Sequence, residues 1–83
     1  MAGTLYVVAT PIGNLEDLTP RAARILGAVT LLLAEDTRVT AKLLGHLGIR
    51  ASLRSLHEHN ERELAPEIVA RLAAGEDVAL VSD

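Results

Sequence analysis

Cysteine is absent from the 83 residues, which excludes disulfides and thiolate metal sites and fits a reducing compartment. Aromatic side chains are almost absent as well: Tyr6 stands alone, with no Phe or Trp. This argues against a recognition surface that stacks bases on aromatic rings, as many single-strand RNA binders use. No apolar run approaches the roughly 18 residues of a membrane span, and no basic stretch followed by a long apolar segment marks a secretory signal. These absences predict a cytoplasmic chain that does not enter a membrane. A cationic excess is missing too. The formal charge is −3, which disfavours broad, non-specific attraction to nucleic acid. That charge is unevenly distributed: from residue 38 to 57 there are Arg38, Lys42, Arg50 and Arg54, two histidines and no carboxylate. Such a stretch reads either as a solvated face or as a phosphate-facing patch.

What the chain does have is aliphatic side chains, which dominate a hydrophobic fraction of 49%. They fall into four short runs, each ending in a polar cluster. Leu5–Ala9 leads into Thr10-Pro11-Ile12-Gly13-Asn14, and Leu31–Ala34 into Glu35-Asp36-Thr37-Arg38. Leu53–Leu56 leads into His57-Glu58-His59-Asn60-Glu61, and Val78–Val81 into Ser82-Asp83. Between the runs the apolar residues switch to helical spacing. Thr19 suits a cap, Pro20 a first helical position and Gly27 a stop, with Ala22, Ile25 and Leu26 on one stripe. A second helix begins near Asp36 or Thr37 and ends before Gly48, its stripe Val39, Leu43, Leu44 and Leu47. A third carries Leu64, Ile68, Val69 and Leu72 and stops at Gly75. Its start is ambiguous: Asn60 and Glu63 have capping-box spacing, whereas Pro66 would disturb a helix begun that early.

The order βαβαβαβ predicts an α/β fold with a mostly parallel open sheet and helices on both faces. Parallel strands finish on one side, so all four polar clusters would share the sheet edge where open α/β folds bind ligands. The residues there carry chemistry, each with a plainer alternative. Gly13 removes a side chain where a ligand could approach the backbone, although Pro-x-Gly-Asn is also an ordinary turn. Glu35, Asp36 and Arg38 could orient ribose hydroxyls or phosphate, or serve as a cap and an ion pair. His57 and His59 could accept protons near neutral pH; their His-x-His spacing without a third ligand fixed by spacing points away from metal. Neither the three-glycine dinucleotide fingerprint nor the Walker lysine is present.

The stretch Leu5-Tyr6-Val7-Val8-Ala9-Thr10-Pro11-Ile12-Gly13-Asn14-Leu15-Glu16-Asp17-Leu18-Thr19-Pro20-Arg21-Ala22 resembles the opening of bacterial ribosomal-RNA 2′-O-ribose methyltransferases of the tetrapyrrole methylase superfamily. The blocks Ala34–Arg38, His57–Glu61 and Val78–Asp83 match in the same order, so the resemblance covers essentially the whole chain. It implies the amino-terminal domain of a two-domain fold, usually a homodimer, with S-adenosylmethionine held between the domains. It implies cofactor contacts at Pro11, Ile12, Gly13, Asn14, Ser82 and Asp83. It also implies catalytic or orienting candidates among Glu35, Asp36, Arg38, His57 and His59, and no metal. The expected partner of the full-length protein is small-subunit (16S) ribosomal RNA in the 30S subunit, methylated at a cytidine ribose 2′-hydroxyl. The 83 residues alone are expected to be inactive and to self-associate. Two alternatives stand beside this: a tetrapyrrole-precursor methylase domain, and a non-enzymatic flavodoxin-like nucleotide-binding or interaction module.

Overall fold

The computed structural model describes residues 1–10 and 15–82. Thr10 extends the ladder of the first strand, β1 (Leu5–Ala9), and a short 3-10 turn at Leu15–Asp17 precedes helix α1 (Pro20–Ala28). Then follow β2 (Leu31–Ala34), α2 (Thr37–Leu47), β3 (Ser52–Ser55), α3 (Glu61–Ala73) and β4 (Val78–Ser82). All four strands are parallel, in the order β1-β4-β2-β3. The expected αβ alternation and the shared strand direction are therefore present.

Alternate residues of each strand face opposite sides of the sheet, and the core divides accordingly. Val8, Leu32, Ala34, Ala79 and Val81 meet Ala22 and Leu26 of α1 and Leu44 of α2. Leu31, Leu33 and Val78 meet Leu64 of α3, with Ile68 and Leu72 beside it. Strand β2 is buried at all four positions, which is why it reads as an unbroken Leu-Leu-Leu-Ala run instead of an alternation. Leu26, Leu31, Leu32, Leu33 and Val78 are fully buried, each worth about 1.5–3 kcal/mol of transfer free energy.

The helix ends show where local signals win and lose. The Thr19 side chain accepts the Ala22 N–H at 3.1 Å and caps α1. Gly27 does not stop the helix. It lacks a positive φ, and α1 continues to Ala28 before Val29 turns extended (φ −78°, ψ 155°) to bury its side chain. Gly48, with φ 69°, does end α2, a left-handed conformation that favours glycine. Helix α3 begins at Glu61 with Pro66 inside it. Arg62 and Pro66 are both exposed, so water can serve the Arg62 carbonyl that proline leaves without its N–H. Two stripe residues face outward: Val39 is 54% and Val69 63% exposed. Thr40, at the centre of the buried face of α2, takes the place expected for Val39; its hydroxyl donates to the Asp36 carbonyl at 3.4 Å, which satisfies it there.

Candidate functional site at the carboxyl edge of the sheet

Register brings the strand ends together. Ala34 pairs with Val81 and with Ser55, so Glu35 emerges between the ends of β4 and β3. The Thr10 N–H donates to the Ser82 carbonyl at 2.8 Å, extending β1 along β4. The Leu56 N–H donates to the Ala34 carbonyl at 2.9 Å, holding the end of β3 against β2. The chain then leaves β2 toward α2 on one face and β3 toward α3 on the other. Neighbouring strands whose connections diverge in this way open a crevice between them.

That crevice is a cleft of about 330 Å³ lined by Glu35, Leu56, His57, Glu58, Glu61, Leu80, Val81 and Ser82. On the α2 side of Glu35 lies a smaller notch of about 30 Å³, bordered by Thr10, Asp36, Val39 and Thr40. Glu35 faces both and is exposed. Its main-chain carbonyl accepts the Ser55 hydroxyl at 3.4 Å.

Asp36 is engaged elsewhere. One carboxylate oxygen accepts the Arg38 N–H at 3.0 Å, capping α2, and the two oxygens take Arg38 Nε and Nη2 at 3.3 and 3.4 Å. The Arg38 guanidinium, followed by the Arg38 amide, holds the Asp36 carboxyl below the usual carboxylate range. A carboxylate so stabilised is a weak proton acceptor. The Arg38 side chain is 90% exposed even in this pair, and the pairing raises the guanidinium in turn.

The opposite wall is braced by Asn60, which itself stands outside the lining. Its Oδ1 accepts the His57 N–H at 2.9 Å and its Nδ2 donates to the Ser55 carbonyl at 2.8 Å. It therefore makes no side-chain cap to α3, contrary to the capping-box spacing. His57 Nδ1 accepts the His59 N–H at 3.2 Å, which assigns the proton of the neutral ring to Nε2. In this arrangement His57 offers the cleft a donor and not a free lone pair. His59 stands outside the lining, its ring edge-on to His57 at 5.6 Å, with Glu58 3.8 Å away in an exposed and weak pair. Among the described residues no three His, Asp or Glu side chains gather as metal ligands.

Of the residues singled out from sequence, Glu35, His57 and Ser82 meet at one cleft. Asp36 borders the notch, while Arg38 and His59 are not part of the cleft lining. Pro11, Ile12, Gly13, Asn14 and Asp83 lie outside the described residues. Sequence reasoning missed the lining by Leu56 and Leu80 and the bracing role of Asn60. An Asn three residues after His57 was the available signal, because Asx side chains fold back on nearby backbone as readily as they cap.

The sequence signature of the family Tetrapyrrole (Corrin/Porphyrin) Methylases matches residues 4–83. A Ribosomal RNA small subunit methyltransferase I of Pseudomonas aeruginosa is 58% identical over 82 residues, covering 99% of this chain and 29% of the relative. Proteins of the same name from Xylella fastidiosa and Escherichia coli O157:H7 are 60% and 56% identical over 81 residues, 30% and 28% of their lengths. The chain thus spans under a third of these relatives. With a family signature running through every strand and helix of a parallel sheet whose polar ends converge, this chain belongs to the tetrapyrrole methylases.

Proposed function

We propose that residues 1–83 form the amino-terminal domain of a two-domain methyltransferase. The full-length protein would act in the cytoplasm as a homodimer and methylate a cytidine ribose 2′-hydroxyl in the small-subunit ribosomal RNA of the 30S subunit. The observation that carries this reading is the identity of 56–60% to the named RNA methyltransferases across nearly the whole chain.

The donor proposed is S-adenosylmethionine, and the cleft suits it. Leu56, Leu80 and Val81 offer apolar walls for a nucleoside, while Ser82 and the exposed Glu35 offer polar groups for its hydroxyls and for a positively charged centre. Pro11, Ile12, Gly13, Asn14, Ser82 and Asp83 are the residues assigned to hold it. When bound, the group supplies a methyl already activated on a sulfonium sulfur.

What the protein must add is alignment of the attacking oxygen and removal of its proton. Glu35 is the group best suited to the proton, since Asp36 is committed to Arg38 and His57 has its Nδ1 lone pair occupied. His57 Nε2–H then serves as a donor to an oxygen of the substrate, and Arg38 as a partner for a flanking phosphate.

The test is methyl incorporation from labelled donor into 30S subunits by the full-length protein, beside a tetrapyrrole precursor. Incorporation into RNA that falls about a hundredfold in Glu35→Gln supports the assignment. Incorporation only into the tetrapyrrole would replace the substrate, and full activity in the variant would remove Glu35 from the role.

A further inference from the structure

We propose that the outward face of α2 is a track for the phosphate backbone of an RNA strand leading into the carboxyl-edge cleft. The proposal rests on the RNA reading given above. Arg38, Lys42 and His46 are four residues apart, so they stack along one side of the helix with a rise of about 6 Å per step. That side lies opposite the buried Thr40 and Leu44. The ridge starts at the helix end that borders the notch beside Glu35 and runs away from it.

Arg38 is tied to the Asp36 cap at the start of α2 and His46 lies in its last turn, but no partner in the fold accounts for Lys42 between them among the described residues. Arg38 and Lys42 carry like charges at a spacing that repels and weakens a helix, and α2 itself contains no carboxylate to offset Lys42. Helix α3, by contrast, carries Glu61, Glu63 and Glu67, and Glu67 pairs with Arg54. Lys42 and His46 take part in no ion pair among the described residues. Within a chain of net charge −3, residues 38–57 hold four cations and no acid.

Gly45 is a second, independent sign. It sits inside the helix, where glycine costs stability relative to alanine. A Cβ added there would meet nothing within 4 Å, so packing does not require it. It lies beside Lys42 on the outward face, where a bare backbone admits close approach of a polyanion. No aromatic residue is on this face, so the contacts would be to phosphates and independent of base identity.

The experiment uses the full-length protein and a synthetic small-subunit rRNA fragment, with dissociation constants measured against KCl concentration. Lys42→Ala should weaken binding several-fold at physiological salt and reduce the slope of log K against log salt by about 1. Lys42→Arg should restore the slope, and Gly45→Glu should weaken binding further. In methylation of 30S subunits the variants should raise KM with kcat retained. Variants that match the wild type in slope and KM overturn the track while leaving the methyltransferase reading intact. A wild type that binds the RNA with these slope changes yet transfers no methyl group would overturn only the catalytic reading. A wild type that does not bind the RNA sinks the track.

Discussion

The two edges of one sheet are built on opposite terms. At the amino edge the chain is braced. The Thr4 N–H donates to Asp77 Oδ1 at 2.8 Å, and the Thr30 N–H and hydroxyl both reach the Asp77 carbonyl, at 3.0 and 3.1 Å. The Gly3 N–H donates to the Leu72 carbonyl at 2.7 Å. A Cβ at Gly3 would fall 1.8 Å from the Glu76 carbonyl oxygen. At the carboxyl edge, Glu35 and Ser82 are exposed and the space between them and His57 is open. One edge uses its polar groups on itself; the other leaves the Glu35 and Ser82 side chains open to solvent. In open parallel α/β folds the carboxyl ends of the strands are the edge where ligands bind.

Substitutions can break this contrast. The largest expected effect on stability is at the amino edge: Gly3→Ala should cost about 2–3 kcal/mol, measured by denaturant unfolding. The limit is set by detachment of the first residues, which relieves the clash but forfeits their hydrogen bonds. A Gly3→Ala protein as stable as the wild type would mean that the close approach does not persist in solution. Asn60→Ala comes next, at about 2 kcal/mol for two hydrogen bonds. It is the exception that sharpens the comparison, since Asn60 ties Ser55 to His57 at the carboxyl edge and its loss should also disturb the cleft. Thr19→Ala should cost about 1 kcal/mol through the lost cap of α1.

Smaller still is the acid response of Asp36. Its carboxyl titrates lower in the folded chain than in the unfolded one. Its contribution is therefore complete above the ordinary carboxylate range and is lost as pH falls from there through the lowered value. Asp36→Asn should flatten the stability profile in that acid window and lower neutral stability slightly, since Asn keeps the cap but forfeits the Arg38 ion pair. An unaltered acid limb would show that the Arg38 pair contributes nothing in solution. Glu35→Gln should leave the unfolding midpoint where it is while methyl transfer by the full-length protein falls. A large shift in the midpoint would return Glu35 to a structural role.

Much of the architecture could be read from particular residues. The fully apolar Leu31–Ala34 marked a strand covered on both faces, and Thr19, Pro20 and Gly48 marked helix ends, because these signals act within a few residues of themselves. Gly27 and the capping-box spacing of Asn60 and Glu63 misled for the same reason. A local preference of about 1 kcal/mol yields when burial of Val29, or the anchoring of Asn60 to Ser55 and His57, is worth more.

By itself the sequence determined the αβ alternation, the four polar tips and the family, since these depend on the order and type of residues along the chain. Only the tertiary structure decided which tips face the cleft. Strand order put Glu35 between Ser82 and His57; hydrogen bonds committed Asp36 to Arg38 and the Nδ1 of His57 to the backbone. The reason is geometric. Strand neighbours and side-chain partners are set by contacts between residues distant in sequence, such as Ala34 with Val81, and no spacing along the chain encodes them directly.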